Sequence, residues 1–148
     1  MSLFKKQIET LIVTLGNIPE PKSFDMETWY GSEAENSCGY AACICGHQAL
    51  APYSKYFPSV KDSGDYAEDA GDVAVNLIYA CEDLTGNAFL ASSIYNGEGS
   101  MRQGYAKDSL VFTEVELKHP HLTKENPTPE DAISYLRLVL EKLEKHNG

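Results

Sequence analysis

The sequence predicts a predominantly helical α+β fold: one compact domain with a few short strands around a central helix rich in alanine and cysteine. Three observations lead there. Apolar residues recur at helical spacing in residues 3–15, 73–84 and 133–143. Residues 38–50 carry small Ala, Cys and Gly side chains, which let other elements approach closely. Residues 110–117 are dense in Val, Phe and Thr and read as a strand. The whole chain, residues 1–148, suits a single domain with its own core.

In chain order, Leu3, Phe4, Ile8, Leu11, Ile12 and Leu15 define the first helix, with Ser2 as its cap and Gly16 at its end. A proline-bearing connector follows, and the weak alternation of Phe24, Met26 and Thr28 predicts a short extended segment. Ser37 reads as the cap of a central helix over residues 38–50, stopped by Pro52 and packed by Trp29 and the two terminal helices. Residues 53–70 are polar and poorly periodic. Val73, Leu77, Ala80, Cys81 and Leu84 mark a third helix, and Thr85 reads as the cap of a short fourth that includes Ala88, Phe89 and Ile94. Residues 96–107 form a glycine-rich loop. The last helix has Thr128 as cap, Pro129 at its first position, Asp131 three residues after the cap, and an apolar stripe of Ile133, Leu136, Val139, Leu140 and Leu143.

Twelve Lys and Arg against 22 Asp and Glu give a net charge of −10. That balance repels nucleic-acid backbones and anionic membranes, so neither is an expected partner. No targeting segment and no membrane span is read from the sequence, and a cytoplasmic location is expected. Cys38, Cys43, Cys45 and Cys81 are accordingly read as reduced thiols. Several apolar faces compete for few partners, which leaves room for a homodimer. The acidic cluster Asp62, Asp65, Glu68, Asp69 and Asp72 lacks the spacing of a calcium loop and reads as a solvated face.

Residues 36–47 admit three readings. Cys38 at a helix N-terminus suits a nucleophile, as in papain-like peptidases, with His119 or His121 as the base. Cys43 and His47, four apart on a helix, could contribute to a zinc site, but paired knuckle spacing is missing. The plainest reading is a set of small apolar thiols in a packed core helix, with His47 making a core hydrogen bond. On that reading no metal and no cofactor is expected. A second constellation lies in the 96–107 loop. Arg102 and Lys107 suit phosphate, Tyr105 suits a stacked base, and Gly99 and Gly104 let backbone close around a ligand. No phosphate-loop signature accompanies them.

The run Phe24-Asp-Met26-Glu-Thr-Trp29, followed by Cys38-Gly39, Ala42-Cys43-Ile44 and Gly46-His47, resembles a family of small phage and bacterial proteins. Those proteins carry F-x-M-x-x-W and then C-G-T-x-A-C-x-x-G-[HW], and the likeness extends to Thr128–Ala132. This chain has Tyr40 where the family has Thr, and an additional Cys45. The resemblance implies a phage or mobile-element accessory protein that acts on host defence or host physiology. It carries no catalytic role with it. The function expected is therefore a non-catalytic binder that sequesters a small anionic, nucleotide-like ligand. The alternatives are a Cys38-dependent hydrolase and an acidic inhibitor of a host protein.

Overall fold

A computed structural model describes residues 2–25, 30–32, 36, 38, 40–51, 54–58, 65–86, 94 and 128–146. The fold over these residues is predominantly helical with a minor β component. Its elements are α1 (Leu3–Gly16), a 3-10 turn (Pro21–Ser23), β1 (Gly31–Ser32), β2 (Tyr40–Ala41), α2 (Ile44–Leu50), α3 (Tyr66–Thr85) and α4 (Pro129–His146). Among the described residues no helix is long and apolar enough to cross a membrane.

Each long helix buries one stripe. In α1, Phe4, Gln7, Ile8, Leu11 and Leu15 are buried, while Leu3 and Val13 face outward. The Ser2 hydroxyl accepts from the Lys5 N–H at 3.3 Å, as the sequence predicts for a cap. In α4 the buried set is Ala132, Tyr135, Leu136, Val139 and Leu143, with Ile133, Leu138 and Leu140 packed partly against it. The predicted cap of this helix is reciprocal. The Asp131 N–H donates to the Thr128 hydroxyl at 3.2 Å, and the Thr128 N–H donates to the Asp131 carboxylate at 2.8 Å. The helix α1 packs on α4, α2 packs on α3, and α1 also touches α2 and α3. One continuous core results.

The third helix starts earlier than its apolar spacing suggests. Asp65 is its cap, accepting from the Ala67 and Glu68 N–H groups at 3.1 and 3.2 Å, and Glu68 and Asp69 complement the positive end of the helix in its first turn. Part of the acidic cluster therefore nucleates a helix. Asp69 is buried, which corrects the reading of that residue as solvated. At the other end the reading of Thr85 as a cap for a following helix also fails. Thr85 is the last residue of α3, and its hydroxyl bonds back to the Cys81 carbonyl at 2.8 Å. Gly86 ends the helix in the left-handed conformation, φ 77°, a backbone position that disfavours side chains.

The central helix is shorter than predicted. It begins at Ile44, not at Cys38, because Tyr40–Ala41 pairs antiparallel with Gly31–Ser32 and Ala42 bridges Phe24 in parallel. Asn36 fixes this bend by donating to the Lys22 and Tyr40 carbonyls at 3.2 and 2.9 Å. Those non-local bonds override the local helical bias of a small-residue stretch. The helix is nonetheless central: Ile44, Cys45, Gly46, His47 and Gln48 are all buried. The predicted extended character near Phe24 is present at Phe24 itself, whereas Met26, Thr28 and Trp29 lie outside the described residues. So do the predicted strand at residues 110–117 and the loop at residues 96–107.

Candidate functional site

The short strand β2 and the start of α2 place a row of rings beside the end of α1. Phe24 stacks near His47 with centroids 6.3 Å apart, and Tyr40 tilts against His47 at 5.8 Å. Tyr40 also stacks on Tyr30 at 5.7 Å, and Tyr30 tilts against Tyr66 at 5.0 Å. Such offset and tilted pairs match the aromatic quadrupole and add to simple burial. Tyr40 can join the row only because residue 40 is in a strand; on the predicted helix it would project elsewhere.

His47 is 3% exposed and its Nε2 lies 2.9 Å from the Ser23 carbonyl oxygen. A carbonyl only accepts, so Nε2 carries the proton and Nδ1 carries the lone pair. Burial lowers the His47 pKa below the ordinary value, partly offset by the Ser23 hydrogen bond, and the ring is neutral at physiological pH. Tyr40 is shifted the other way. Burial raises its phenol above the ordinary value, helped by the nearby Cys38, Tyr30 and Glu20 groups. Both rings therefore act here as neutral polar groups.

A pocket of about 300 Å³ opens beside these rings. One wall is the last turn of α1 and the connector after it, with Val13, Thr14, Asn17, Ile18 and Pro19. The other is Tyr40 with His47, Leu50 and Ala51 at the end of α2. The Thr14 hydroxyl donates to Gln48 Oε1 at 2.6 Å and ties the two walls together.

The cysteines divide by burial. Cys43 caps α2 without a side-chain bond, and burial pushes its thiol up to about 11. Cys45 is fully buried, its thiol is also pushed up by burial, and its Sγ donates to the Ile94 carbonyl at 3.6 Å. Both are protonated core thiols at neutral pH. Among the described residues no three His, Cys, Asp or Glu side chains converge as metal ligands, and His47 already gives Nε2 to Ser23. Cys38 is partly exposed and lies in the turn before β2, six residues ahead of α2. The helix-terminus argument for its activation therefore does not hold. Its N–H donates to the Glu20 carboxylate at 3.0 Å and its Sγ donates to the Tyr40 carbonyl at 3.5 Å.

Of the residues singled out in the sequence, the structure brings His47 into a pocket and keeps Cys38 outside its lining. Gly99, Arg102, Gly104, Tyr105 and Lys107, together with His119 and His121, lie outside the described residues. The pocket residues Val13, Thr14 and Asn17 escape sequence reasoning because none belongs to the apolar stripe of the first helix or carries a motif. Tyr40 did carry a signal, as the position where this chain departs from the motif it resembles. No protein-family profile, no curated protein and no solved structure matches the chain.

Proposed function

We propose that this chain is a phage-type accessory protein that binds and sequesters a small anionic, nucleotide-like ligand in the host cytoplasm, without transforming it. The observation that carries the reading is the Arg102, Tyr105 and Lys107 set in the glycine-rich stretch 96–107, which combines phosphate recognition with a stacking ring. Two features agree with it. The buried thiols of α2 are protonated, so the cysteine-rich motif reads as packing and not as a reactive centre. Ile94, two residues before that stretch in sequence, is buried in the core and its carbonyl accepts from the Cys45 thiol. The likeness of residues 24–47 to phage proteins supplies the biological setting, counteraction of host defence.

With a net charge of −10, binding of an anion must come from short-range contacts. Calorimetry against mononucleotides, cyclic dinucleotides and ADP-ribose derivatives tests this. Binding of one class is expected, with Arg102→Ala abolishing it while the melting temperature of the free protein stays unchanged. Silence across the panel from the intact protein discards the reading.

One observation favours a second reading, a hydrolase using Cys38 with His119 or His121: Cys38 is the partly exposed thiol of the four. Turnover of a peptide or ester substrate that is lost on Cys38→Ser would support it.

A further inference from the structure

The pocket between α1 and α2 offers hydrogen-bond acceptors where an anion site needs donors. His47 commits its Nε2–H to Ser23, so Nδ1 remains as a lone pair without a partner among the described residues. The Thr14 hydroxyl proton is engaged by Gln48 at 2.6 Å, which leaves the oxygen to accept. Asn17 gives an amide N–H to the Val13 carbonyl at 2.8 Å, and that orientation fixes Oδ1 as an acceptor too. The remaining side-chain donors on the lining residues are the second Asn17 N–H and the Tyr40 hydroxyl. Among the described residues no Lys or Arg lines the pocket.

The longer-range field has the same sign. Val13 and Thr14 belong to the last turn of a 14-residue helix, whose C-terminal end carries roughly half a negative charge. The whole chain is at −10. Burial keeps the His47 ring unprotonated, so it adds no compensating positive charge. The remaining walls are apolar or aromatic, and about 300 Å³ lies at the small end of ligand pockets, room for one or two fused rings.

We propose that this pocket binds a planar aromatic molecule bearing amino or amidinium N–H groups, neutral or cationic, with an N–H on His47 Nδ1 and the ring against Tyr40. The residues differ from those of the phosphate reading, so this site stands or falls without Arg102.

Two probe series test it by NMR titration of the intact protein. Benzamidine, benzamide and benzoate share a shape and differ in charge; affinity is expected to fall in that order. Adenine and purine differ by one amino group; adenine is expected to bind about tenfold more tightly, the worth of one well-made hydrogen bond. Saturation with benzamidine should move the ¹⁵N resonance of His47 Nδ1, because a lone pair that accepts a proton bond is shielded differently. Val13 is 64% exposed, so Val13→Trp can fill the mouth without disturbing the core, and it should abolish binding. Asn17→Lys places a cation at the rim and should reverse the preference between benzamidine and benzoate. Equal affinity for benzoate and benzamidine overturns the proposal. So does an unmoved His47 resonance at saturation, or the absence of binding by every probe at millimolar concentration to protein that is folded.

Discussion

His47 links burial to acidity at the level of a single ring. Its pKa is lowered from 6.5 in the folded state, so the unfolded chain takes up the proton first as pH falls. The stability this group contributes is complete above about pH 6.5 and drains away as pH drops through the lower folded value. Urea melts at neutral pH and at about pH 5 should therefore show a loss that is smaller in His47→Gln. The Gln amide can still reach Ser23 but does not titrate. An identical loss in both proteins would place the acid sensitivity elsewhere. The thiols give a second expectation at this scale. A thiol reagent at mildly alkaline pH should label Cys38 in the native protein and spare Cys43, Cys45 and Cys81, which are buried. All four should react in denaturant. The core hydrogen bond of His47 and the burial of Cys43 and Cys45 follow the small-residue context of the sequence, whereas the separation of Cys38 from α2 is not legible from residue types, since it depends on the pairing of β2 with β1.

The caps of the two terminal helices were legible at the scale of elements, because a cap is a contact across three or four residues, whereas the cap position of α2 is Cys43 and not the predicted Ser37, and Thr85 closes α3. Thr128 and Asp131 satisfy each other's N–H groups as their spacing predicts. Thr128→Ala should lower stability by about 1 kcal/mol. Leu136 is fully buried, so Leu136→Ala should cost more, on the order of 2–5 kcal/mol. Denaturant melts of the two variants check both size and order. Asp65→Ala should resemble the Thr128 variant, with the loss confined to α3. The same local logic misplaced the start of α2. Apart from Tyr40, residues 38–43 have the small side chains of a packed helix, yet three partners elsewhere in the sequence, Gly31, Ser32 and Phe24, hold residues 40–42 extended. Of the stripe read for α4, Leu136, Val139 and Leu143 are buried and Ile133 and Leu140 partly so; Ala132 and Tyr135 were missed, the latter because its polar tip disguises a ring that is almost wholly buried.

Across the molecule, the excess of carboxylates acts as a diffuse load. Among the described residues the ion pair between Lys6 and Glu9, at 3.9 Å and half-exposed, contributes little against it. Raising salt from low to moderate concentration should therefore raise the melting temperature, as screening weakens self-repulsion. A melting temperature that falls with salt would mean that attractive pairs dominate. The core also has a long-range tie in Gln7, fully buried on α1, whose Nε2 donates to the Tyr56 carbonyl at 2.9 Å and contacts the Asn76 carbonyl at 3.4 Å. Composition gave no hint of it, since a lone glutamine on a helix reads as surface.

The packing of α1 on α4 has a consequence for synthesis. The apolar stripe of α1 is made first, and its main cover is separated from it by more than a hundred residues of chain. At about 5–20 residues per second the ribosome takes roughly 5–25 s to bridge that gap. During that interval Phe4, Ile8, Leu11 and Leu15 have no partner from α4, and a chaperone that reads short apolar helices has a clear window in which to hold the nascent chain.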